Sequence, residues 1–472
     1  MLVKGDKRII RSWAMYDWAN SAYSLTITSA IFPGFFEAVT SQKDAQGNVI
    51  QDFVADQYGI VNTSLYSYTI SLSFLVVAIL APILSGIADY TDKKKAFMQF
   101  FCYLGAISCA GLYFFDFDML WLGMTCFALA GIGFSGSIIF YNAYLPLIAE
   151  PEDHDRVSAL GFSLGYVGSV ILLLWNLSML LLPELYFDVQ GAFEELKQLY
   201  PTLSETELME QARDSFSGTA CRISFLSVGI WWALFAQVTF RVLPGHVEKK
   251  KVTRRIILNG YRELRGVWNE AKKTVRLKRF LQAYFLYNTA VQTVMYMAAN
   301  FAAKEIKQKG VNGEDQPFEP QNLIITILII QLVAILGSWI FAGLSRRYGN
   351  LKTLGMAVIC WIVICTAAYQ VVYEYPFYAL AACVGLVMGG IQSLSRSTYS
   401  KFIPETFDTA SYFSFYNVCY YVGTVLGTFG FGYVLDLTGD IRLSILSIAS
   451  FFILGFLMLL RVPKEEMLVE SA

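Results

Sequence analysis

The stretch IAEPEDHDRVSALGFSLGYVG, residues 148–168, returns later in the chain as IPETFDTASYFSFYNVCYYVG, residues 403–423. The two stretches align without a gap at a shift of 255 residues and are identical at six positions: Ile148/Ile403, Glu150/Glu405, Asp153/Asp408, Tyr166/Tyr421, Val167/Val422 and Gly168/Gly423. Two other segments match in the same order along the chain. These are Tyr16, Asn20 and Ala22 with Tyr284, Asn288 and Ala290 at a shift of 268, and Gly86 with Gly343 at a shift of 257. The pattern indicates two tandem halves that run in the same direction.

Long apolar blocks make up both halves. The 472 residues are 56% hydrophobic and 15% charged, whereas about 25% of the residues of soluble domains are charged. Each block reaches the roughly 20 residues that a helix needs to cross a hydrocarbon layer. The sequence therefore predicts an all-α integral membrane protein with twelve transmembrane helices, at 12–37, 61–88, 96–115, 119–146, 157–183, 219–243, 280–303, 321–345, 352–373, 376–401, 410–435 and 441–462.

Positive charge predicts the orientation and the domain boundaries. If both termini are cytoplasmic, 28 of the 36 lysines and arginines fall on the cytoplasmic side, as membrane proteins prefer. The expected domains are a six-helix half at 1–243, a cytoplasmic basic linker at 244–279 and a second six-helix half at 280–472. The net charge of −1 gives no reason to expect a nucleic-acid partner.

The sequence contains few residues that could form a metal, cofactor or catalytic site. The eight cysteines lie in or beside apolar segments without a CxxC pair, and the two histidines, His154 and His246, fall in predicted loops. A catalytic or metal centre needs several converging ligands. We therefore expect no metal, no cofactor and no enzymatic activity. The phosphate-binding pattern GxxxxGK[ST] is also missing from the sequence, so ATP is not expected to drive the protein directly.

Two long loops carry helix signals. In the outer loop at 184–218, Ser204 and Glu207 have the spacing of a capping box, which predicts a short surface helix. In the basic linker, the stretch from Arg254 to Lys278 places Ile257, Tyr261, Leu264 and Trp268 on one stripe. We expect an amphipathic helix that lies on the cytoplasmic face of the membrane. A binding site for a regulatory partner is the alternative.

The loop SGIADYTDKKK, residues 85–95, resembles the signature loop of the major facilitator superfamily: a small residue, an aspartate four positions later, and then basic residues. Asp89 stands at a predicted helix end, where its carboxylate can accept hydrogen bonds from the N-terminus of a neighbouring helix. Asp89, Lys93 and Lys94 are therefore candidates for a conformational latch. Ser85 and Asp92 replace two glycines of the signature, and the second-half copy has Arg346 in place of the acid.

Three shorter motifs narrow the resemblance. They are YDWANSAY at 16–23, GIQSLSRS at 390–397 and FSFYN at 413–417. Together they resemble the bacterial relatives of the yeast autophagy-related vacuolar amino-acid effluxer, a branch of the major facilitator transporters. The resemblance implies amino-acid transport, specifically efflux of amino acids or similar small solutes, by a multi-pass protein of the bacterial cytoplasmic (inner) membrane. We expect it to act as a monomer in the lipid bilayer, with a proton or another ion as a possible coupling partner.

Polar residues inside the predicted transmembrane helices suggest a binding cavity, because polar groups in hydrocarbon usually face the bundle interior. In facilitator folds, helices 1, 4, 7 and 10 line the central cavity. The candidate substrate-binding residues come mainly from these helices: Asp17, Asn20, Ser24, Tyr141, Asn142, Asn288, Gln292, Gln392, Arg396 and Asn417. The alternative is that the uncharged ones form hydrogen bonds between helices and only stabilise the bundle.

Asp17 and Arg396 are expected to be the two charged ends of a cytoplasm-facing cavity and to bracket a small zwitterion. The alternative is that both side chains lie at the level of the lipid headgroups. Because Arg396 is the only cation well inside a predicted helix, a neutral or zwitterionic solute is favoured over an anion. A sugar, peptide or organic-acid carrier of the same fold, and a transport-inactive membrane receptor, remain alternatives. Direction and coupling stay open.

Overall fold

The computed structural model describes residues 4–43, 49–245, 256–309 and 314–464, which are almost entirely helical. The first half contains α1 (Lys7–Ala22), a π-helix (Tyr23–Ile31), α2 (Phe32–Thr40), α3 (Phe53–Tyr58), α4 (Asn62–Thr91), α5 (Lys94–Gly111), α6 (Leu120–Ala143), α7 (Leu145–Ile148), α8 (His154–Leu181), α9 (Val189–Leu199), α10 (Glu205–Asp214) and α11 (Ser217–Val242). Short 3-10 turns lie at Leu112–Phe114, Phe117–Met119, Pro151–Asp153 and Pro183–Leu185.

The linker and the second half contain α12 (Ile256–Lys273), α13 (Val275–Glu305), α14 (Pro320–Tyr348), α15 (Asn350–Ala368), α16 (Glu374–Phe402), α17 (Thr409–Thr438) and α18 (Ile441–Leu460). Two short antiparallel hairpins occupy corresponding places in the halves. One pairs β1 (Ser41–Lys43) with β2 (Val49–Asp52) after α2, and the other pairs β3 (Lys307–Lys309) with β4 (Asp315–Pro317) after α13.

Ten helical segments of the described chain are long and apolar enough to cross a membrane, and they coincide with ten of the twelve predicted transmembrane helices. The other two predictions, 12–37 and 280–303, are also helical but lie outside this set. The first is divided by the π-helix, and the second corresponds to α13, which carries Asn288, Gln292 and Asn300. The chain is a multi-pass membrane protein, and the number twelve stays a prediction.

The packing of the helices repeats between the halves. Helix α1 packs against α8 and α11, as α13 packs against α17 and α18. Helix α6 contacts α4 and α5, and α16 contacts α14 and α15 in the same way. The contacts between the halves are also related by the repeat. The contact of α4 with α17 corresponds to that of α14 with α8. The contact of α6 with α17 corresponds to that of α16 with α8. The two halves that repeat in the sequence thus also pack their helices in the same arrangement.

Helices α14 and α16 approach each other more closely than side chains would allow. A Cβ atom at any of three glycines would overlap a backbone carbonyl of the other helix: Gly337 with Leu386, Gly385 with Ile330 and Gly389 with Ala334. Small residues let membrane helices pack with their backbones in van der Waals contact. These two helices therefore form one rigid pair in the second half.

The linker contains a helix, as the sequence predicts, and one face of it packs on the bundle. Helix α12 covers Ile256–Lys273 and packs on the last turns of α4, where Gly260 lies against the backbone of Gly86. Among its residues whose side chains the structure describes, Gly260, Val267 and Ala271 are buried, whereas Tyr261 is 55% and Trp268 41% exposed. The small residues that contact the bundle lie outside the predicted stripe, and the placement of that stripe on the membrane stays a prediction. The side chain of Ile257 and residues 246–255 lie outside the described structure.

The outer loop folds into two helices rather than one. Helices α9 and α10 share a small apolar core of Val189, Phe193, Leu208 and Ala212. The predicted capping box is confirmed, because the Ser204 side chain accepts a hydrogen bond from the Glu207 N–H while the Glu207 carboxylate accepts one from the Ser204 N–H. This pairing satisfies two backbone donors at the start of α10.

Candidate functional site

A cavity of about 250 Å³ lies between the two halves. It is lined by residues of α1, the π-helix, α4, α6, α8, α13, α14, α16 and α17. At one end, which we call the open end, the lining residues Ser24 and Ser29 are exposed to solvent. At the other end, Asp17 and Arg396 are buried. We call this second end, where α1 begins and α4 terminates, the closed end.

The cavity wall is rich in aromatic residues. Twelve of its residues are aromatic: Tyr23, Phe74, Phe127, Phe134, Phe162, Tyr166, Tyr284, Tyr287, Tyr296, Tyr416, Tyr420 and Tyr421. Sequence analysis missed this feature, although the repeated Tyr166 and Tyr421 were visible in the opening motif. Aromatic rings provide apolar surface, and tyrosine adds a hydroxyl group that can form hydrogen bonds. The wall can therefore bind a solute that has both apolar and polar parts.

Asp17 and Arg396 form a direct ion pair across the two halves. The distance from Arg396 Nη1 to Asp17 Oδ2 is 3.2 Å, and Tyr141 donates its hydroxyl proton to the same oxygen at 2.7 Å. Gly161 of α8 makes room for the pair, because a Cβ atom there would lie 2.5 Å from Asp17 Oδ2 and 2.9 Å from Arg396 Nη2. The two charges thus neutralise each other at the floor of the cavity.

The guanidinium group of Arg396 is held almost entirely by the first half. Its Nε donates to Ser158 Oγ, and its Nη2 donates to the Ser158 carbonyl oxygen, both at 2.9 Å. Its Nη1 also lies 3.4 Å from Asn142 Oδ1. The rings of Phe162 and Trp13 lie 4.2 and 5.0 Å from its central carbon. Planar stacking combined with directed hydrogen bonds is a role that suits arginine better than lysine.

The expectation of a cavity that opens beside Asp17 and Arg396 is wrong for this conformation. The pair closes the floor, and the cavity opens on the opposite side, beyond Ser24. Both side chains are buried in the protein, so neither extends into its surroundings as a headgroup anchor would. Nine of the ten candidate binding residues line the cavity: Asp17, Asn20, Ser24, Asn142, Asn288, Gln292, Gln392, Arg396 and Asn417. Tyr141 lies behind the wall and contacts Asp17.

Asp89 links the halves at the closed end. Its carboxylate accepts hydrogen bonds from the backbone N–H groups of Ala410 at 3.3 Å and Ser411 at 2.6 Å, in the first turn of α17. Lys94 Nζ lies 2.8 Å from Asp89 Oδ1 and donates to the Phe407 carbonyl at 2.7 Å. The predicted contact between Asp89 and a helix N-terminus is thus present. Lys93 instead precedes α5 and donates its backbone N–H to Ala88 O.

A second buried carboxylate, which sequence analysis missed, links the halves at the symmetry-related place. Asp155, in the first turn of α8, accepts hydrogen bonds from three groups of the second half: Ser345 Oγ at 2.8 Å, Asn350 Nδ2 at 2.7 Å and Lys401 Nζ at 2.7 Å. The repeat aligns Asp155 with Ala410. The α8–α14 contact therefore corresponds to the α17–α4 contact. The aspartate is on α8 in the first contact, whereas it is on α4, the counterpart of α14, in the second.

Comparison of the sequence with known proteins identifies its family. The sequence matches the family described as "Vacuole effluxer Atg22 like" over residues 5–192 and 205–472. It is 29% identical over 457 residues to the uncharacterized MFS-type transporter YxiO of Bacillus subtilis, with 96% of this chain and 94% of that protein covered. It is 23% identical over 515 residues to autophagy-related protein 22 of Pyricularia oryzae, with 92% and 73% covered.

The fold is that of the major facilitator superfamily (MFS). The MFS transporter FucP in its outward conformation superimposes with a TM-score of 0.66 at 13% identity, covering 97% of this chain and 98% of that structure. The human organic anion transporter MFSD10 gives a TM-score of 0.64 at 12% identity, covering 97% and 100%. The protein is a membrane transporter with this fold, and it belongs to the vacuole effluxer Atg22-like family.

Proposed function

We propose that the protein is a secondary active transporter that exports amino acids or similar small zwitterions by alternating access. Twelve transmembrane helices with both termini in the cytoplasm would place the closed end on the cytoplasmic side. The bacterial relative YxiO supports a location in a bacterial cytoplasmic membrane. In this proposal the two halves at 1–243 and 280–472 move as units, and the chain acts as a monomer.

The charge of the cavity supports a neutral or zwitterionic cargo. Among the described residues, the only charged side chains that line the cavity are Asp17 and Arg396, and they are paired with each other. An anionic cargo would need cationic side chains free to receive it. The cavity instead supplies amides, hydroxyl groups and aromatic rings. This balance of charge is the observation that carries the proposal.

Alternating access requires the closed end to open. The Asp89 and Asp155 clusters, with Lys93 and Lys94 on the flank, are the proposed latches, because each joins a helix of one half to a helix of the other. Asp17 and Arg396 form a third connection between the halves at the floor of the cavity. Protonation of Asp17 would remove one charge of this pair, so a proton is our candidate for the coupling ion.

The test is flux in proteoliposomes that contain the purified protein. Vesicles would be loaded with amino acids, sugars and organic acids, and export would be followed by mass spectrometry with and without a pH gradient. We expect selective export of amino acids. Export of sugars alone would favour a sugar carrier, which the aromatic and amide-rich wall also fits. If no solute moves, the transport proposal is refuted and a receptor is favoured.

Mechanical closure provides an internal control for alternating access. Glu152, in the 3-10 turn before α8, and Phe407, before α17, are exposed at the closed end on opposite halves. In a background without the eight native cysteines, the double variant Glu152→Cys and Phe407→Cys would be joined by a bifunctional maleimide. Flux should stop after cross-linking of the double variant and continue in each single variant treated in the same way.

A further inference from the structure

Both halves place an asparagine at the same level of the cavity floor. Asn20 of α1 and Asn288 of α13 occupy corresponding positions of the repeat, at a shift of 268 residues, and both line the cavity. Only 1% of Asn20 and 5% of Asn288 is exposed. In each of them, the side-chain Nδ2 has no hydrogen-bond partner in the described part of the chain. Each half thus contributes a buried amide nitrogen whose protons are unused.

The side-chain oxygens of the same residues are occupied. Asn288 Oδ1 accepts a hydrogen bond from Gln292 Nε2 at 3.2 Å, and Gln292 Oε1 accepts one from the Tyr420 hydroxyl at 2.8 Å. A phenol donates more strongly than it accepts, so this relay orients both amides and leaves the Nδ2 of Asn288, a residue of the cavity lining, without a partner in the described structure. Asn20 Oδ1 accepts from Ser21 Oγ at 3.4 Å, which gives the first half the same polarity.

Buried polar groups are normally hydrogen-bonded, and an unpaired one needs an explanation. Here the unpaired groups are two pairs of N–H donors in one cavity. A carboxylate has two oxygens that accept hydrogen bonds only, so it can use one donor from each half. Arg396 is a poorer candidate for this role, because its nitrogens already donate to Ser158 and Asp17.

Asp17 provides a complementary group next to Asn20. Both of its hydrogen bonds, from Tyr141 and Arg396, go to Oδ2, and its side chain remains 10% exposed. Asp17 and Asn20 are three residues apart on α1, so their Cβ atoms lie about 5–6 Å apart on one face. An α-amino acid carries its ammonium and carboxylate groups on a single carbon. This short separation fits the spacing between the Asp17 and Asn20 side chains.

We propose that Asn20 and Asn288 bind the carboxylate of an α-amino acid and that Asp17 Oδ1 binds its ammonium group. Arg396 does not touch the cargo. It is a positioning residue that holds Asp17 from the opposite side. This assignment rests on the proposed transport function. It adds which end of the cargo faces which residues of the cavity. It also explains how a site without a free cation can select a carboxylate, through one neutral amide from each half.

The test uses the flux assay with isosteric variants. Asn20→Asp and Asn288→Asp keep the shape of the side chain but replace the N–H donors with an acceptor that repels a carboxylate. Each variant should raise KM about 10-fold for the best-transported of the twenty amino acids, because hydrogen bonds to charged groups are the strong ones. Asn300→Asp is the matched control, since Asn300 is exposed on α13 beyond the cavity lining, and its KM should not change.

Competition separates this inference from the transport function. In the wild-type protein, the amide and the decarboxylated amine of the same amino acid should compete at least about 10-fold less well than the acid, and Asn288→Asp should remove this preference. Equal competition in the wild type, or an unchanged KM in both variants, would overturn the carboxylate assignment. A wild-type protein that moves none of the twenty amino acids would refute the transport proposal itself. Should an aspartate variant fail to fold, Asn20→Ala and Asn288→Ala apply the same criterion.

Discussion

The Asp155 cluster provides a test of how the closed end is held together. All three donors to the Asp155 carboxylate, Ser345, Asn350 and Lys401, belong to the second half, so the contact is lost when the halves separate at this end. In Asp155→Asn, the amide can accept fewer hydrogen bonds and no longer carries the charge that attracts Lys401. Hydrogen bonds to a charged group each contribute ~1.5–3 kcal/mol.

We expect the substitution to weaken closure by about 2 kcal/mol, because the amide oxygen still satisfies part of the cluster. At 1.4 kcal/mol for each factor of ten, this loss shifts the ratio of closed to open molecules about 30-fold towards opening of this end. Spin labels at Glu152→Cys and Phe407→Cys, in the cysteine-free background, would report the distance between the halves there. The distance distribution should gain a longer component in Asp155→Asn.

The matched control is Asp153→Asn. Asp153 lies two residues before Asp155, but its partner Arg156 is three residues away on the same segment, and both side chains are partly exposed. Such surface pairs contribute little to stability, so this variant should reproduce the wild-type distances. If Asp155→Asn leaves the distances unchanged as well, the cluster does not hold the halves together and the reasoning fails.

Three further perturbations follow from the geometry. Arg396→Lys keeps the charge but loses the planar contacts with Ser158, so flux should fall at least about 10-fold between pH 5.5 and 8; normal flux across this range would contradict a role for the guanidinium. Asp17→Asn leaves a buried, unpaired guanidinium, which costs about 3–5 kcal/mol. A thermal unfolding curve should show a clear loss of stability, and an unchanged midpoint would mean that the ion pair is dispensable. Gly260→Ala should detach α12, because its Cβ would lie 2.9 Å from the Ile87 nitrogen, whereas nothing lies within 4 Å of a Cβ at Gly266. Limited proteolysis of the linker should therefore accelerate in Gly260→Ala and not in Gly266→Ala, and equal rates would refute the docking of α12 through Gly260.

The helices themselves were predictable, because long apolar runs and a local capping motif depend only on neighbouring residues. Ser204 and Glu207 form the capping box that their spacing indicates. The two helices with the weakest apolar signal contain Asn20 and Asn288, since these helices line the cavity. The same polar residues that marked the candidate site also made its helices difficult to recognise as membrane-spanning.

The contacts between the halves were much less predictable. The sequence suggested that Asp17 and Arg396 would face each other across a cargo, but it could not show that they touch, because they are 379 residues apart. Asp155 escaped notice for a related reason. The repeat aligns it with Ala410, so the aspartate that joins the halves lies on α8 in one contact and, as Asp89, on α4 in the other. The π-helix at Tyr23–Ile31, marked by the backbone hydrogen bond from the Phe32 N–H to Ile27 O five residues earlier, has no signature in residue type.

Helices α8 and α16 meet at two contacts between the halves, Ser158 with Arg396 and Asp155 with Lys401. Ser158 and Asp155 lie three residues apart on α8, while Arg396 and Lys401 lie five residues apart on α16, about 7.5 Å along its axis. A helix is too stiff over this length for one contact to separate while the other stays closed. If access alternates as proposed, the cavity floor and the Asp155 cluster should therefore open in one cooperative step, and the energies of substitutions at the two places should not be additive. In that case no relay of side chains is needed between the two places, because α16 itself would transmit the movement.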